Sequence, residues 1–228
     1  MRLWVEKPLT RSWPLACLGA ARVFEVAGVA QYDQTFCPWI GIAMFAYVGL
    51  RTACFDTPLG AMRLLVDAQG ALLRLDFEEE TVHGLTPEQL AGLIPESALA
   101  EPVQTQLDAY FAGKLQQFDL PFSLQGTEFQ QQVWQALLTI PYGQTWTYGQ
   151  MAEHLGRPKA VRAVGQACGL NPISIIVPCH RVQGANGMLT GFSSGLHRKA
   201  SLLDFERRVH LTGTGDIQAS MPAQLDLF

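Results

Sequence analysis

A cysteine, a histidine and an arginine stand side by side in the run Pro178–Cys179–His180–Arg181–Val182. The thiolate is the reactive form of cysteine, so a nucleophilic Cys179 needs neighbours that lower its pKa from about 8.5. The adjacent imidazole and guanidinium are groups of that kind, although neighbouring side chains often point apart. The residues alone therefore leave two interpretations open: a nucleophile, or the buried and inert thiol that is the usual fate of a free cysteine.

The elements that must position Cys179 lie on both sides of it. The apolar run 173–177 predicts a buried strand that ends at Pro178, and 184–195 is a loop rich in Gly, Ser and Asn. A final helix is predicted over 196–208, where Leu202, Leu203 and Phe205 are candidates for burial.

Three further helices are predicted upstream. The first begins at Thr127, which forms a Thr-x-x-Gln capping box with Gln130. Its apolar stripe consists of Phe129, Val133, Trp134, Leu137 and Leu138. Two short helices follow over 148–155 and 158–168, with a break at Gly156 and with Pro158 in a first helical turn. Their spacing predicts a helix-turn-helix.

Residues 44–125 predict a small α+β domain. Strands are expected over 44–55, 60–66 and 71–77, with a turn over 67–70. In the third strand Leu73, Leu75 and Phe77 alternate with Arg74 and Asp76, which predicts one buried and one solvent-facing side. A helix marked by Leu99, Val103, Leu107, Tyr110 and Phe111 ends at Gly113.

The predicted organisation is thus α+β with four parts. Residues 1–43 are an N-terminal extension without a clear period, and Met44 is a candidate alternative start. Residues 44–125 form the first domain, 126–211 a second domain that contains Cys179 and the predicted helix-turn-helix, and 212–228 a flexible tail.

Charge is distributed unevenly over these parts. The 228 residues carry a net charge of −4, which by itself argues against nucleic acid as a partner. Residues 126–211, however, hold eight Lys and Arg against four Asp and Glu, and the acidic surplus lies outside them. A basic segment between acidic ones favours nucleic-acid binding by the predicted helix-turn-helix.

Cysteine usage and hydropathy argue against disulfide-rich, metal-binding, membrane-spanning and secreted proteins. The five cysteines are widely spaced and form no C-x-x-C pair, which argues against a disulfide framework and a metal site and favours the cytoplasm. The uncharged run 34–50 contains Pro38, Gly41 and Gly49, which argues against a membrane span. The N-terminus lacks the pattern of a signal peptide.

Taken together, Asn171-Pro172 and the run 175–182 resemble the active-site signature of the O6-alkylguanine-DNA alkyltransferases. Further motifs stand in the same order as in that family: Phe129…Val133-Trp134, Pro141-Tyr142-Gly143, Thr147-Tyr148, Ala163-Val164-Gly165 and Gly191…Gly195. The resemblance is strong over 126–208, looser over 44–125 and absent over 1–43.

The resemblance implies a role for each matching residue. Cys179 is the nucleophile and alkyl acceptor, His180 its base through a water, and Glu206 the carboxylate that orients the histidine. Asn171 braces the cysteine loop, and Tyr148 donates a proton to the departing guanine. The pocket for the base is formed by Val182, Gly191, Phe192 and Ser193.

The resemblance also implies how DNA is bound. Arg162 fills the stack left by a flipped nucleotide, and Tyr148 helps to rotate it. Ala163 and Gly165 let their helix approach the minor groove of double-stranded DNA. Phe192 stands where many relatives have tyrosine and Gly149 where some have glutamine, so one pocket hydroxyl and one DNA contact are absent.

The implied fold is an RNase H-like sheet-plus-helix domain followed by a mostly helical, winged-helix-like domain. The implied activity is single-turnover transfer of a methyl or larger alkyl group from O6-alkylguanine, and from O4-alkylthymine, to cysteine by a monomer without cofactors. Two alternatives are a non-catalytic sensor of alkylated bases with the same fold and a cysteine hydrolase. Cys179 argues against the first, and the lack of an oxyanion-hole signal argues against the second.

The last five residues, Gln224-Leu225-Asp226-Leu227-Phe228, resemble the peptide by which bacterial repair proteins bind the sliding clamp. A polar anchor and apolar side chains at the end of a spacer suit a groove on a partner. The tail therefore predicts the sliding clamp as a second partner.

Overall fold

The protein is described from a computed structural model, which covers residues 23–26, 29–32, 50–78 and 93–220. The chain divides into two compact units, 1–48 and 49–228. In the first unit, strands β1 (Val23–Val26) and β2 (Val29–Tyr32) form an antiparallel pair that the sequence analysis did not predict.

The second unit begins with a four-stranded sheet in the order β5-β4-β3-β6. Its strands are β3 (Arg51–Phe55), β4 (Met62–Val66), β5 (Leu72–Phe77) and β6 (Ile94–Pro95). Strands β3, β4 and β5 are antiparallel neighbours, whereas β6 runs parallel to β3. The three predicted strands are present in shorter form, and 44–49 of the first prediction lies outside the described residues.

The predicted turn between β4 and β5 is held by an aspartate. The Asp67 carboxylate accepts hydrogen bonds from the backbone amides of Gln69 and Ala71, both at 2.9 Å. Gly70 has a φ of +85°, which a residue with a side chain rarely adopts. This chemistry fixes the register of the β4–β5 hairpin.

The prediction of a solvent-facing side on β5 is wrong. Asp76 is only 5% exposed, and Leu65, which lies opposite Arg74 on the same side of the sheet, is 2% exposed. Asp76 is tolerated there because it pairs with Arg74 at 3.3 Å. Both sides of β5 are therefore covered, and the alternation of residue types did not reveal this.

Helix α1 (Ala100–Phe111) follows the sheet and buries the predicted stripe of Val103, Leu107, Tyr110 and Phe111. It ends before Gly113, whose φ is +69°. Helix α2 (Glu128–Leu137) begins with the predicted capping box of Thr127 and Gln130. Leu138, predicted to be in the stripe, follows the helix and is 38% exposed.

Helices α3 (Tyr148–His154) and α4 (Val161–Gly169) pack against each other as the helix-turn-helix prediction requires. The predicted start of α4 at Pro158 is wrong. Residues 157–160 form a turn in which the Ala160 amide donates to the Arg157 carbonyl at 2.8 Å. Proline keeps the residue before it out of the helical region, and here the helix starts only after the turn closes.

The predicted strand over 173–177 is also absent. Only Ile173 bridges to β5, at Leu75, after which the chain turns and the Val177 amide donates to the Ile173 carbonyl at 3.0 Å. Ile175 has a φ of +70° inside this turn. An apolar run of five residues indicates burial but does not distinguish a strand from a buried turn.

Helix α5 (Leu196–Thr212) is longer than predicted and buries Leu202 and Phe205, whereas Leu203 is half-buried. Residues 213–220, expected in the flexible tail, pack on it: Ile217 is 3% exposed and Gly215 contacts Val209. The four-stranded sheet and helices α1 to α5 of the described residues contribute to one hydrophobic core. Within the described ranges, no helix has the length and hydropathy needed to span a bilayer.

Candidate active site

Cys179 begins a short 3₁₀ helix, Cys179–Arg181, and is 6% exposed. Its Sγ accepts a hydrogen bond from Asn171 Nδ2 at 3.1 Å. The same amide group donates to the Val177 carbonyl at 2.8 Å, while Asn171 Oδ1 accepts from the Ile173 amide at 3.2 Å. Asn171 therefore holds both ends of the buried turn that carries the thiol.

The surroundings of Cys179 act on its pKa in opposite directions. Burial raises the pKa of the thiol above its ordinary value, and the hydrogen bond from Asn171 and the charge of Lys199 partly offset that rise. The buried group is consequently a thiol at neutral pH and needs a base to become a nucleophile.

His180 is the base nearest in sequence and is fully buried. Its Nε2 is 2.9 Å from Glu206 Oε1, whereas Nδ1 has no hydrogen-bond partner among the described residues. Burial lowers the pKa of His180, and Glu206 only partly offsets this. The ring is therefore neutral. Its Nε2–H donates a hydrogen bond to Glu206, and the lone pair on Nδ1 is available to accept a proton.

Glu206 lies at the centre of a buried network on α5. Besides His180, its carboxylate accepts from Tyr110 Oη at 2.8 Å and from the Gly143 amide at 3.2 Å. Arg181 donates to it through Nε at 2.8 Å and Nη2 at 2.9 Å. Burial alone would raise the pKa of Glu206, but His180 and Arg181 hold it well below its usual range.

Two members of this network were not predicted from the sequence. Arg181 was expected to stabilise the thiolate, but its guanidinium lies against Glu206 and also donates to the Ile140 carbonyl at 2.8 Å. Tyr110 was predicted as core of α1, and no pattern in the sequence connects it with a residue 96 positions away.

Tyr148 is the first residue of α3, and its side chain contacts the loop that contains the predicted pocket residues Gly191 and Phe192. Strands β7 (Trp146–Thr147) and β8 (Val182–Gln183) are parallel, which places the start of α3 beside the segment of Cys179. The Tyr148 hydroxyl donates to the carbonyls of Thr190 at 3.1 Å and Gly191 at 3.2 Å. Burial raises its pKa to about 12, so the group carries its proton at neutral pH.

Lys199 is a further residue that the sequence analysis missed. It is fully buried on α5, and its Nζ donates to the same two carbonyls, Thr190 at 2.7 Å and Gly191 at 3.3 Å. Its ammonium also lies 5.8 Å from the ring centroid of Tyr148. A buried lysine among charged residues of a helix gives no separate signal in one sequence.

The four residues predicted to line the base pocket differ in burial. Val182 is fully buried, Phe192 is half-buried against the core, and Gly191 and Ser193 are exposed. Gly191 has a φ of +57°, and a Cβ there would lie 2.9 Å from the Tyr148 hydroxyl. The loop can approach Tyr148 this closely because Gly191 has no side chain.

Helix α4 presents the predicted DNA-facing residues. Trp134 Nε1 donates to the Ala167 carbonyl at 2.8 Å and holds α4 against α2. Arg162 is exposed and forms no salt bridge with a described residue, while Ala163 is half-buried. Gly165 faces Tyr148: a Cβ at this position would be 3.9 Å from the ring. Within the described residues no group of three metal-ligating side chains occurs.

Two family models cover most of the described chain. Residues 50–124 match the ribonuclease-like domain of 6-O-methylguanine DNA methyltransferase, and residues 128–208 match its DNA binding domain. These two matches meet close to the predicted boundary at residue 125.

Individual relatives agree with these matches. The methylated-DNA–protein-cysteine methyltransferase of Mycobacterium leprae is 50% identical over 157 residues, which cover 69% of this chain and 92% of the relative. Its counterpart in Methanosarcina acetivorans is 47% identical over 154 residues, or 68% and 96% of the two chains. The structure of Mycobacterium tuberculosis OGT in complex with DNA superposes with a TM-score of 0.63 at 42% identity, over 77% of this chain and 97% of that one. The chain belongs to the 6-O-methylguanine DNA methyltransferase family.

Proposed function

We propose that this protein repairs alkylated DNA by transferring the alkyl group from O6 of guanine, or O4 of thymine, to Sγ of Cys179. One observation supports the assignment of residues: the buried Cys179 directly precedes His180, a neutral imidazole whose Nε2 is held by Glu206 and whose Nδ1 has no partner among the described residues. Nucleophile, base and orienting carboxylate are the parts that such a displacement needs.

The reaction begins with removal of the thiol proton. His180 Nδ1 takes the proton of Cys179 through a water molecule, and Glu206 stabilises the imidazolium that forms. The thiolate then attacks the alkyl carbon, so that an S–C bond forms while the C–O6 bond breaks and its electron pair goes to the oxygen.

The leaving guanine needs a proton. Tyr148 supplies it to the ring, and the imidazolium of His180 restores the balance by returning its proton to solvent, from which Tyr148 recovers one. In the free protein the Tyr148 hydroxyl donates to the carbonyls of Thr190 and Gly191. Donation to the flipped guanine therefore replaces these two hydrogen bonds. Lys199 still holds the same carbonyls after this exchange.

The product is a thioether, which no group in the site is arranged to hydrolyse. Each molecule therefore reacts once. Such a stoichiometric reaction requires only one active thiol per chain, in keeping with a monomer that acts without a cofactor.

We propose that α4 enters the minor groove and that Arg162 replaces the flipped nucleotide in the stack. The exposed guanidinium of Arg162 and the small residues Ala163 and Gly165 support this role. Extrusion of the nucleotide costs a few kcal/mol, and an alkylated base that pairs poorly is cheaper to extrude. In this division of labour, residues 126–211 carry the chemistry and DNA binding, and the described residues between 50 and 125 brace them.

One experiment tests the proposed function. The protein is mixed with duplex DNA that contains O6-methylguanine, and the modified peptides are mapped by mass spectrometry. We expect one methyl group per protein on the peptide of Cys179 and none in Cys179→Ala. Repaired DNA together with an unmodified Cys179 would overturn the assignment, and multiple turnovers would indicate a hydrolase.

The sliding clamp is the second partner we propose, through residues 224–228, which lie outside the described residues. The match of the terminal five residues to a clamp-binding peptide supports it. Full-length protein and a variant ending at residue 223 are compared in a pull-down with the bacterial clamp. Equal retention of the two would end this proposal.

A cytoplasmic location would suit both partners, and the free thiols of Cys54, Cys168 and Cys179 are compatible with a reducing compartment.

A further inference from the structure

Helix α5 begins with two adjacent cations that are both withdrawn from solvent. Arg198 is 5% exposed and Lys199 is fully buried. The first turn of a helix is the positive end of its dipole and disfavours cations. Their burial there requires specific acceptors, and these include backbone carbonyls for both side chains.

The guanidinium of Arg198 connects two distant parts of the chain. Its Nε donates to the Leu59 carbonyl at 2.9 Å, in the turn between β3 and β4, and its Nη1 donates to the Ser194 carbonyl at 3.0 Å. The group also lies 4.3 Å from the ring centroid of Phe77 on β5. One planar side chain thus contacts the N-terminal sheet and the end of the pocket loop.

The turn around Leu59 is shaped to receive this side chain. The backbone amide and carbonyl of Thr57 pair with those of Gly60 at 3.2 and 3.0 Å, and the Thr57 hydroxyl adds a bond of 2.6 Å to the Gly60 carbonyl. Gly60 has a φ of +120°, and a Cβ there would lie 3.0 Å from Arg198 Nη2. The absence of a side chain at Gly60 leaves space for the guanidinium.

The loop of residues 190–195 is consequently fixed at both ends from α5. Lys199 holds the carbonyls of Thr190 and Gly191, next to Tyr148, and Arg198 holds the carbonyl of Ser194. Arg198 differs from Lys199 because it also ties the loop to the turn between β3 and β4 and to Phe77 of the sheet. Its donors lie in one plane and point to two separate carbonyls, so the guanidinium fixes orientation as well as distance.

We propose that Arg198 is a positioning residue for alkyl transfer: it anchors the pocket loop to the N-terminal sheet and so sets the place of the bound base relative to Cys179. This inference rests on the proposed function. A loop displaced by about 1 Å lowers the rate of a displacement reaction by roughly ten- to a hundredfold. Binding of DNA by α4 does not depend on this anchor.

The test compares Arg198→Met with Arg198→Lys and with Arg207→Met as a matched control. Methionine keeps an unbranched apolar stem over Phe77 but removes all donors, and lysine keeps the charge but replaces the planar fork with a single ammonium. Arg207 lies on the same helix with 65% of its side chain exposed. Single-turnover methyl transfer from O6-methylguanine duplex DNA is measured over a range of DNA concentrations and normalised to the titrated methyl acceptors.

Arg198→Met should lower the maximal transfer rate about tenfold, with a half-saturating DNA concentration within twofold of the wild type. Arg198→Lys should recover part of the rate, and Arg207→Met should react like the wild type. The reaction of Cys179 with iodoacetamide should change less than twofold, because the thiol and its base are intact. A merely structural role would reduce the number of methyl acceptors and leave the rate of the remaining ones unchanged.

A fall in the maximal rate of less than threefold for Arg198→Met overturns the proposal. An equal loss in the iodoacetamide reaction also overturns it, because the defect then lies at the thiol. If Arg198→Met does not fold, Arg198→Lys is measured in its place, and a fall in its maximal transfer rate of less than threefold overturns the proposal. If the wild type itself transfers no methyl group to Cys179, the proposed function fails and this inference with it, an outcome distinct from the others.

Discussion

The carboxylate of Glu206 accepts hydrogen bonds from Tyr110, Gly143, His180 and Arg181. These donors come from α1, a loop and the 3₁₀ helix of Cys179, so one buried anion joins three parts of the structure. Its charge is matched by the bidentate guanidinium of Arg181, and its orientation fixes the tautomer of His180. In the proposed mechanism, catalysis and stability therefore depend on the same side chain.

We predict that Glu206→Gln lowers the free energy of unfolding by about 3 kcal/mol at pH 7, because it leaves the cation of Arg181 buried without an anion. The pKa of Glu206 lies below its ordinary 4.5, so this contribution is complete above pH 4.5 and is lost as the pH falls through the pKa of the folded state. Urea unfolding of both proteins between pH 3 and 7 measures it. Asp204→Asn, two residues away on the same helix and paired with the solvent-exposed Arg207 and Arg208, should cost no more than about 1 kcal/mol. Equal losses for the two variants would contradict the prediction.

Asn171 affects the thiol through a hydrogen bond that favours the thiolate. Burial already raises the pKa of Cys179 above its ordinary 9.0, and removal of this donor raises it further. We predict that Asn171→Ala slows the reaction of Cys179 with iodoacetamide about tenfold at pH 7, because a smaller fraction of the thiol is ionised. The deficit should shrink as the pH rises toward the raised pKa of Cys179, because the thiolate fraction of both proteins then grows.

The measurement follows the Cys179 peptide by mass spectrometry from pH 7 to 10. Asn186→Gly is the control, since Asn186 lies in an exposed loop with a φ of +59° that glycine adopts freely. A deficit that is the same at every pH would assign Asn171 a purely structural role.

At the scale of elements, the helices were predictable because caps and apolar stripes are local. Thr127 and Gln130 define the start of α2 in the sequence, and α1 buries the stripe that was predicted. The turn over 173–177 and the burial of Asp76 were not predictable, because both arise where distant segments meet. Ile173 bridges to Leu75, and neither residue type indicates that partner.

In the candidate site too, local features were predictable from the sequence, whereas contacts between distant segments were not. Cys179, His180 and Glu206 were predicted through a resemblance to known sequences. The structure pairs His180 with Glu206 and places Cys179 directly before His180 in one 3₁₀ helix. Arg198 and Lys199 belong to the site only because α5 folds back over the pocket loop. A single sequence contains no pattern that assigns carbonyl acceptors to buried cations.

Two helices with the same capping chemistry permit a matched comparison. Thr147 caps α3 and Thr127 caps α2, each through a capping box. We predict that Thr147→Ala and Thr127→Ala each lower the free energy of unfolding by about 1 kcal/mol. Only Thr147→Ala should also slow methyl transfer, because Tyr148 is the first residue of the helix that Thr147 caps.

Urea unfolding and single-turnover transfer on the same preparations provide the two readouts. The size of the kinetic effect depends on how far the hydroxyl of Tyr148 moves, and about threefold is expected from a frayed first turn. If Thr127→Ala slowed transfer equally, the effect would reflect overall stability and not the position of Tyr148.

At the scale of the whole molecule, the net charge of −4 conceals a functional division. The segment 126–211 has four more cationic than anionic residues, and the exposed residues Arg157, Lys159 and Arg162 lie on or just before α4. The acidic surplus lies in the rest of the chain, which is compatible with a protein that approaches DNA with one side only. Charge separates the two domains, whereas packing joins them.

The contacts between the two domains are specific hydrogen bonds, and some of them lie in the segment that leads to Cys179. The Leu75 amide donates to the Pro172 carbonyl at 2.9 Å and the Ser174 amide donates to the Leu75 carbonyl at 2.8 Å, so β5 pairs with the turn that leads to Cys179. Tyr110 contributes to the Glu206 network, and Leu59 accepts from Arg198. Residues before 126 thus supply partners to three groups in the site.

We predict that a fragment starting at residue 126 transfers methyl groups at least about tenfold more slowly than the full chain and unfolds with lower cooperativity. Its buried turn would lose the pairing with β5, and Glu206 would lose the hydroxyl of Tyr110. A fragment starting at residue 50 is the control, since it keeps every one of these contacts and should match the full chain. Near-ultraviolet circular dichroism and single-turnover transfer compare the three proteins. Transfer by the 126–228 fragment at the full rate would mean that the helical domain alone holds Cys179 in its reactive geometry, and that the sheet contributes only stability.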